Sequence, residues 1–504
     1  MEAGRPSPAS SAPATWWRAI GWTALAAGIA LRAYPLHVPY PQPEVDVPTG
    51  TAILEIVRQD WRPLSLFHGT GLVYTLRCAY TALYAIGHAT GRYQDRLDLL
   101  ASFVRDPFPF VLIGRGIMLV LATLALVVAG RTGGLVGGPV VAAGATALLA
   151  VSFIHVRESH YVWYDLPAGT AALVTTWLAL RAVQRPTPGP LLAAAAAGGL
   201  SLAMKHSVFP VAVPVFLAAA LGGAASPGRR AARIAAAGAT ALVAYGIACP
   251  YSFLEPQAFL DAAWFTAAAT KGYAGSFALS LPRLWMTVIG PAATVLAVVG
   301  VVAIVARTWR EGLVVGAFPA SYVAVLASQG RLHARYLAPC APLVAVLGAI
   351  GADAIGQRVA PRRSGVVTAL LLAVAVAGPA TQSIQYDMLL ARADTRQFAA
   401  EWLYAHVPPG TRLTFPSANG HPNPLVPIDE TLLRVFFRPW ADTLVARGAV
   451  DRRHEYPRRF LGGVFGDYSP DWQPGDRYVV VADHPVVVSA AQAPPFYLDR
   501  LRAA

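Results

Sequence analysis

Long apolar runs recur along most of this chain and are separated by short polar gaps. An α-helix needs about 20 consecutive apolar residues to cross the hydrocarbon core of a bilayer. The pattern therefore predicts an all-α polytopic membrane protein. The apolar runs of spanning length lie near residues 16–34, 70–88, 111–130, 134–153, 166–182, 190–204, 207–222, 234–251, 286–305, 312–328, 338–357 and 365–385.

The composition changes beyond Gln385, where charged residues become more frequent and the long apolar runs stop. A turn signal follows at Pro408–Gly410, and the sequence YVVVA at Tyr478–Ala482 is typical of a buried strand. We therefore predict a transmembrane domain over residues 16–385 and a small soluble α/β domain over residues 386–504.

Basic residues in the short gaps predict the orientation of the chain. Short loops rich in Lys and Arg face the cytoplasm, and arginines cluster in gaps near 181–185, 229–233, 307–310 and 358–363. Residues 1–15, rich in Pro, Ser and Ala, are expected to form a disordered cytoplasmic tail. The C-terminal domain is then extracytoplasmic. Outer loops are expected near 36–69, 155–165, 250–285 and 329–337.

The number of crossings follows from the sides of the membrane that these loops occupy. Three candidate runs separate the first outer loop from the outer loop at 155–165, yet two loops on the same side need an even number of crossings between them. The run at 70–88 contains Arg77 and is the most polar of the three, so we assign it as an incomplete crossing. The prediction is about 11 transmembrane helices.

Composition and charge narrow the class of protein. The 504-residue chain is 55% hydrophobic and only 13% charged, about half the charged fraction of ordinary globular proteins. This excludes a soluble globular enzyme and a disordered protein. The net charge of +13 does not indicate nucleic-acid binding, because no basic stripe with interleaved aromatic residues is present. The three cysteines are isolated and form no CxxC pattern, which excludes a disulfide scaffold.

Two carboxylates stand at the outer end of the first predicted span. The segment 40–48 reads YPQPEVDVP and contains Glu44 and Asp46. Ionisable groups near membrane depth are costly and usually functional. Either carboxylate can act as a general base toward an acceptor hydroxyl. The alternative is an ordinary solvated loop.

A second polar segment, residues 155–167, reads HVRESHYVWYDLP. Two histidines, an arginine and two acids in one short outer loop favour a site that includes His160 and Asp165. Asp165 also begins a span, where capping the helix is an alternative role. The spacing of the His, Glu and Asp residues fits no metal-ligand template. We therefore predict no metal site, while dependence on a divalent metal stays open.

Cations occupy two further breaks in the apolar pattern. Lys205 lies between two short runs and is expected to pair with a carboxylate or to hold a lipid phosphate. Arg331, Arg335 and Tyr336 precede the run at 338–357, and arginine suits bidentate phosphate contacts. The alternatives are a snorkelling lysine and an interfacial Arg–Tyr anchor. Together with the acids, these cations suit a donor substrate that carries a lipid phosphate.

The order of these segments resembles the GT-C superfamily of membrane glycosyltransferases. Within it, the chain is most similar to the dolichyl-phosphate-mannose protein mannosyltransferase-like group that includes the aminoarabinose transferases. The resemblance covers residues 16–410. The segments that carry it are Tyr40–Glu44, Gly50–Leu76, Ser159–Tyr161 with Asp165–Pro167, Gly198–Lys205, Pro250–Tyr251 with Phe259 and Gly272–Gly275, Arg335–Pro339 with Pro342, and Asp394–Arg396 with Glu401–Trp402 and Pro408–Gly410.

The resemblance implies an activity and a base. Family members transfer a sugar from a polyprenyl phosphate, with inversion, at the outer membrane face. The position that matches the family's catalytic aspartate is Pro43. Asp46 or Glu44 is therefore expected to serve as the base, unless the site is inactive or repurposed. Asp165 is implied to support the acceptor or the sugar.

The resemblance also implies how the donor is held. Lys205 and Arg335 are implied to bind the lipid phosphate. His68 lies near the place where some family members have a basic residue. Tyr336, His160 and Arg331 complete the set of expected substrate-binding residues.

These observations predict a GT-C-like membrane glycosyltransferase of the bacterial inner membrane. The bacterial source is inferred from a composition rich in Ala and Arg and poor in Lys. No tightly bound cofactor is expected. The expected partners are the lipid bilayer, a polyprenyl-phosphate sugar and an extracytoplasmic acceptor, with no nucleic acid. Two alternatives are a transporter or flippase of lipid-linked sugars, for which no internal repeat is evident, and a non-catalytic scaffold with the same fold.

Overall fold

The computed structural model describes most of the chain and divides it into two compact units. The first comprises Met1–Leu99 and Pro107–Arg392, and the second comprises Leu100–Asp106 and Ala393–Ala504. The predicted tail over residues 1–15 lies outside the described residues except for its last two positions. The described residues are 14–37, 46–223, 226–271, 277–328, 333–415, 430, 433–434, 437–451, 453, 455–456, 458–460 and 478–479.

Helices form the first unit, as the apolar pattern predicted, and the fourth helix passes into the second unit at Leu100. The α-helices in chain order are α1 (Ala14–Ala33), α2 (Val47–Arg58), α3 (Gly71–Ala89), α4 (Arg96–Arg105), α5 (Phe108–Ala150), α6 (Phe153–Ser159), α7 (Asp165–Gln184), α8 (Pro188–Met204), α9 (Ala212–Leu221), α10 (Pro227–Ala248), α11 (Tyr251–Leu254), α12 (Pro256–Lys271), α13 (Phe277–Val288), α14 (Pro291–Arg307), α15 (Trp309–Ala327), α16 (Ala341–Val359) and α17 (Ser364–Leu390). Short 3-10 helices cover Tyr34–His37, His206–Val211, Ala334–Cys340 and Pro361–Arg363.

Helix α5 is a hairpin of two antiparallel arms. Gly138 interrupts it with φ 69° and ψ −158°, a conformation that glycine adopts without the steric cost of a side chain. Pro139 follows and cannot donate a backbone hydrogen bond. A Cβ placed on Gly133 would lie 2.7 Å from the carbonyl oxygen of Val141, which shows how closely the arms pack. The predicted runs at 111–130 and 134–153 therefore share one kinked helix.

Several helices are long and apolar enough to cross a bilayer. Within the described part of the chain there are six such helices, or up to seven if the pair Leu281–Val288 and Pro291–Arg307, bent by 102°, is one span. The protein is thus a multi-pass membrane protein. This count takes the two arms of α5 as one helix. The total of about 11 crossings stays a prediction.

Small residues at helix contacts and large apolar residues on the outer helix faces are typical of a protein surrounded by lipid. Gly300 of α14 and Gly351 of α16 leave no room for a Cβ, since each would overlap a backbone carbonyl of the facing helix. Such small-residue contacts bring membrane helices close together. On α17, Val366, Leu370 and Val374 are 60%, 62% and 70% exposed. This four-residue spacing marks a helix face suited to lipid.

The segments predicted as outer loops contain helices of their own. α2 lies within 36–69, α6 begins two residues before 155–165 and ends inside it, and α11 and α12 lie within 250–285, which α13 leaves at its last three residues. Helix α3 connects distant helix ends: Thr70, its N-cap, donates from Oγ1 to the carbonyl of Ala248 at 2.6 Å, and Tyr80 donates to the carbonyl of Phe110 at 2.9 Å. It therefore runs across the end of the bundle where α10 ends and α5 begins.

The second unit contains α18 (Thr395–His406), α19 (Ala441–Ala446) and three short strands. These are β1 (Leu413–Phe415), β2 (Arg458–Phe460) and β3 (Tyr478–Val479). They form a parallel sheet in the order β2-β1-β3, with Leu413 beside Arg458 and Tyr478. The predicted strand at 478–482 is described only over β3. The division between the units falls after Arg392, because α17 continues to Leu390. The extent of an α/β domain stays a prediction.

Candidate active site

A buried ion pair joins two helix ends in the first unit. Asp165 begins α7, Lys205 follows the last residue of α8, and Lys205 Nζ donates to Asp165 Oδ1. Asp165 and Lys205 are 0% and 5% exposed. Asp165 Oδ2 has no hydrogen-bond partner among the described residues. A carboxylate partner was one of the two roles expected of Lys205, and this carboxylate retains one oxygen that can accept a substrate hydrogen bond.

A second cation lies beside this pair among aromatic rings. Lys205 Nζ is 4.7 Å from the ring centre of Tyr336, and the Arg335 guanidinium is 4.8 Å from that of Trp163 and 5.8 Å from that of Tyr336. Arg335 Nε is buried and has no hydrogen-bond partner among the described residues. Cations held over ring faces are partly desolvated yet still charged. Lys205 and Arg335, expected to bind a lipid phosphate, are thus brought together around Tyr336.

His68 closes the same region from the segment before α3. Its ring centre lies 4.4 Å from that of Tyr164 and 5.6 Å from that of Trp163. Burial, and then the charges of Lys205, His206 and Arg335, lower the pKa of His68 to about 3. At neutral pH this imidazole is therefore uncharged. It can exchange hydrogen bonds with a substrate but adds no positive charge to the cations.

Glu158, in α6, is a carboxylate that was not selected from the sequence. Arg157 donates to its Oε1, whereas Oε2 has no partner among the described residues. Burial raises the pKa of Glu158, Arg157 opposes this, and Asp165 adds to it. The residue is 1% exposed. The signal was present, because Glu158 lies in the polar segment 155–167, but sequence spacing gave no reason to prefer it to Asp165.

Asp46 joins the segment before α2 to this part of the bundle. The backbone N–H of Val162 donates to its Oδ1 at 2.9 Å, and Arg115 donates to its Oδ2 at 3.1 Å. Asp46 thus contacts the backbone of Val162, three residues before Asp165 in the chain. Both of its oxygens are engaged, which suits an anchor better than a free base. Arg115 was not expected here, since it stands alone in an apolar run. Glu44 lies outside the described residues.

His160 belongs to a separate polar cluster. It lies 2.9 Å from Asp387 Oδ1 near the end of α17, and burial lowers its pKa while Asp387 opposes that change. Nearby, Arg32 approaches His155 Nδ1 at 2.9 Å and donates to the carbonyl of Leu149 at 2.9 Å. The structure therefore places His160 with Asp387. Arg32 and Asp387 were not predicted, because both lie inside apolar helices.

The candidate active site is therefore a set of helix ends that meet at one end of the bundle, which we call the polar end. It comprises the end of α8 and the starts of α5 and α7, together with α6 and the 3-10 helix before α16. Among the residues that the structure describes, no three His, Cys, Asp or Glu side chains are grouped so as to hold a metal ion. Arg331, the remaining predicted phosphate ligand, lies outside the described residues.

Comparisons with known proteins give a fold but no sequence relative. No protein-family model matches the chain, and no curated protein matches its sequence. A solved structure of the oligosaccharyltransferase AglB from Archaeoglobus fulgidus, in complex with an inhibitory peptide and a dolichol-phosphate, is 13% identical with a TM-score of 0.50. The match covers 86% of this chain and 68% of AglB.

A second group of similar structures is ArnT from Cupriavidus metallidurans. ArnT bound to undecaprenyl phosphate is 12% identical with a TM-score of 0.48, over 89% of this chain and 90% of ArnT. Apo ArnT is 13% identical with a TM-score of 0.49, over 88% and 90%. Sequence identities this low support a shared fold but not a shared function. Taken with its apolar helices, the match to AglB shows that this chain has the fold of that oligosaccharyltransferase.

Proposed function

We propose that this protein transfers a sugar from a polyprenyl-phosphate donor to an extracytoplasmic acceptor, with inversion. The observation that carries the proposal is the convergence of Lys205, Arg335, Asp165 and Glu158 at the polar end. Two cations beside carboxylates with unpaired oxygens suit a phosphorylated sugar. The similar structures of AglB and ArnT were solved with dolichol-phosphate and undecaprenyl phosphate respectively, which supports this class of donor.

Lys205 and Arg335 serve the leaving group in this proposal. Polyprenyl phosphate leaves with the electrons of the bond to the anomeric carbon, so negative charge grows on its phosphate. Fixed cations in a water-poor site stabilise that charge more than bulk water does. Asp165 holds Lys205 in place through the buried ion pair. Tyr336 and Trp163 hold the two cations through their ring faces.

The carboxylates serve the acceptor. A carboxylate removes the proton of the acceptor hydroxyl. The hydroxyl oxygen of the acceptor then forms the new bond to the anomeric carbon. Because Arg115 and the N–H of Val162 occupy Asp46, we propose that Asp46 positions the first outer segment. Glu44, two residues earlier in the sequence, then acts as the base. One displacement inverts the configuration at that carbon.

The proposed setting is the bacterial inner membrane, with the polar end and the second unit facing away from the cytoplasm. The arginine-rich gaps support this orientation. They include the start of α10 with Arg229 and Arg230 and the segment after α16 with Arg362 and Arg363. The sugar, the prenyl length and the acceptor, which can be protein, lipid or polysaccharide, are left open by the proposal.

The test is sugar transfer in membranes that contain the full chain and a panel of radiolabelled polyprenyl-phosphate sugars. Wild type is compared with Glu44→Gln, Asp46→Asn and Asp165→Asn, and Asp261→Asn on the exposed face of α12 is the matched control. We expect loss of about a hundredfold or more in Glu44→Gln and unchanged transfer in the control. Equal transfer in all variants would remove the site assignment. Donor binding without transfer by wild type would favour a flippase or a scaffold.

A further inference from the structure

A cavity opens far from the candidate active site, between the first arm of α5 and the last turns of α7. Its volume is about 330 Å³, and its lining includes Arg131, Trp177, Arg181, Gln184 and Arg185. Helix α7 begins at Asp165, and the lining residues from Trp177 to Arg185 lie about 18–30 Å from that residue along the helix axis. We call it the arginine cavity.

Three guanidinium groups share this cavity without a carboxylate of their own. In the part of the chain that the structure describes, Arg131, Arg181 and Arg185 form no ion pair with an acidic side chain. The lining does contact one acid, Glu311, whose Oε1 accepts from Gln184 at 3.0 Å. Like charges that face a common space repel one another, and this repulsion is relieved when an anion enters.

The lining also orients one guanidinium. The centre of the Arg181 guanidinium lies 5.1 Å from the ring centre of Trp177, and a guanidinium stacked on an indole face keeps its edge free for hydrogen bonds. Arginines that only anchor a helix at the membrane surface extend into the headgroup layer. Here the half-buried Arg181 of α7 and the exposed Arg131 of α5 line the same cavity.

We propose that the arginine cavity binds the phosphate of an anionic molecule. Guanidinium groups match two phosphate oxygens at once, which makes arginine the preferred residue for this contact. A volume of about 330 Å³ is at the lower end of the range for small-molecule sites and exceeds the needs of a phosphate alone. The ligand is therefore either the headgroup of an anionic phospholipid or a soluble phosphate compound. This site is independent of the proposed glycosyl transfer.

The test measures binding to the full-length protein purified in detergent, with phosphatidylglycerol and inorganic phosphate as probes. The triple variant Arg131→Gln/Arg181→Gln/Arg185→Gln removes the cavity charges. The matched control, Arg229→Gln/Arg230→Gln/Arg358→Gln, removes three exposed arginines that do not line the cavity. Native mass spectrometry counts bound phosphatidylglycerol, and thermal unfolding follows stabilisation by either probe. Arg181→Gln alone replaces the triple variant if the latter elutes as an aggregate.

We expect the cavity variant to bind phosphatidylglycerol about tenfold more weakly or worse, and the control variant to bind as wild type does. If inorganic phosphate displaces the lipid, the ligand is a soluble phosphate compound. If inorganic phosphate does not displace the lipid, the ligand is the phospholipid headgroup. Equal binding by wild type and the cavity variant overturns the proposal. So does an equal loss in both triple variants, because that is the result of diffuse surface charge.

Discussion

The Lys205–Asp165 pair shows at the scale of single residues why burial and function are linked. Both side chains are removed from water, which costs several kcal/mol per ion before their attraction is counted. Such a pair contributes little net stability, but loss of either partner leaves an uncompensated charge. Its net contribution to stability therefore does not account for its place at the polar end, where we have proposed that it meets the donor phosphate.

Replacing Lys205 with Met should separate these two contributions. Lys205→Met leaves the buried Asp165 carboxyl group without its partner, so we expect a loss of about 3–5 kcal/mol in the free energy of unfolding. The double variant Lys205→Met/Asp165→Asn should recover much of this stability without recovering sugar transfer. Thermal unfolding and the transfer assay measure the two effects. Recovery of transfer together with stability would show that the pair has only a structural role.

Glu55 of α2 illustrates a second kind of buried carboxylate. Glu55 is 0% exposed, and Arg77 Nη1 lies 3.8 Å from its Oε2. Burial raises the pKa of Glu55 to about 7, although the Leu64 N–H and Arg77 oppose this change. The folded protein therefore keeps this proton up to about pH 7, whereas an unfolded chain releases it near pH 4.5. Its contribution to stability is full below pH 4.5 and is lost as the pH rises toward 7.

Glu55→Gln should weaken the pH dependence of stability. Gln cannot ionise and still offers an oxygen to the Leu64 N–H, so we expect a smaller fall in the unfolding temperature between about pH 5 and pH 8 than in wild type. The effect corresponds to about 1–3 kcal/mol. Glu401→Gln, on the exposed face of α18, is the control and should leave the slope unchanged. Identical slopes in wild type and Glu55→Gln would contradict this account.

At the scale of elements, glycines decide how closely helices pack and where they turn. Gly138 lets one apolar stretch fold back as the two arms of α5. Gly351 of α16 and Gly300 of α14 let two backbones touch, since a Cβ at Gly351 would overlap the carbonyl oxygen of Leu296. The sequence predicted close packing from its many Ala and Gly residues. It did not indicate which glycine lies at which contact.

Gly351→Ala should therefore destabilise the helix pair. The added methyl group must displace the backbone of α14, and overpacking of this kind costs about 1–3 kcal/mol. Gly378→Ala on α17 is the control, because a Cβ there meets no atom within 4 Å. Thermal unfolding in detergent measures both variants. Equal unfolding temperatures for the two would show that α14 and α16 do not approach as described.

At the scale of the whole molecule, charged residues in loops predict the orientation in the membrane, and exposed apolar helix faces indicate the surface that contacts lipid. The four arginine-rich gaps predict which side faces the cytoplasm. The exposed Val, Leu and Ile side chains of α10, α14 and α17 indicate which helix faces meet lipid. The polar end and the arginine cavity lie at opposite ends of α7, so the proposed orientation assigns them to opposite membrane surfaces.

Cysteine labelling should reveal this orientation. In a chain with Cys78, Cys249 and Cys340 replaced by Ala, Ser65→Cys and Ser226→Cys each provide one exposed thiol. A membrane-impermeant maleimide applied to spheroplasts should label Ser65→Cys directly, and Ser226→Cys only after permeabilisation. Labelling in the opposite order would reverse the proposed topology. Labelling of both from outside would show that α9 and α10 are arranged differently in the membrane.

The sequence by itself determined that the chain is a membrane protein and that its fold is helical. Apolar runs of spanning length admit few solutions other than membrane helices, because backbone polar groups must be satisfied within each segment in lipid. The same pattern indicated the segment 155–167 and the cations Lys205 and Arg335 as unusual, since charge is costly at that depth. These inferences need only local order along the chain.

Only the tertiary structure decided which charges meet. Asp165 and Lys205 are 40 residues apart, and His160 and Asp387 are 227 residues apart. Helix packing sets such pairs, so no spacing rule predicts that Arg115 binds Asp46 or that His160 contacts Asp387. Apolar periodicity is a local property of the chain. The partners of a buried charge, in contrast, are fixed by contacts between distant helices.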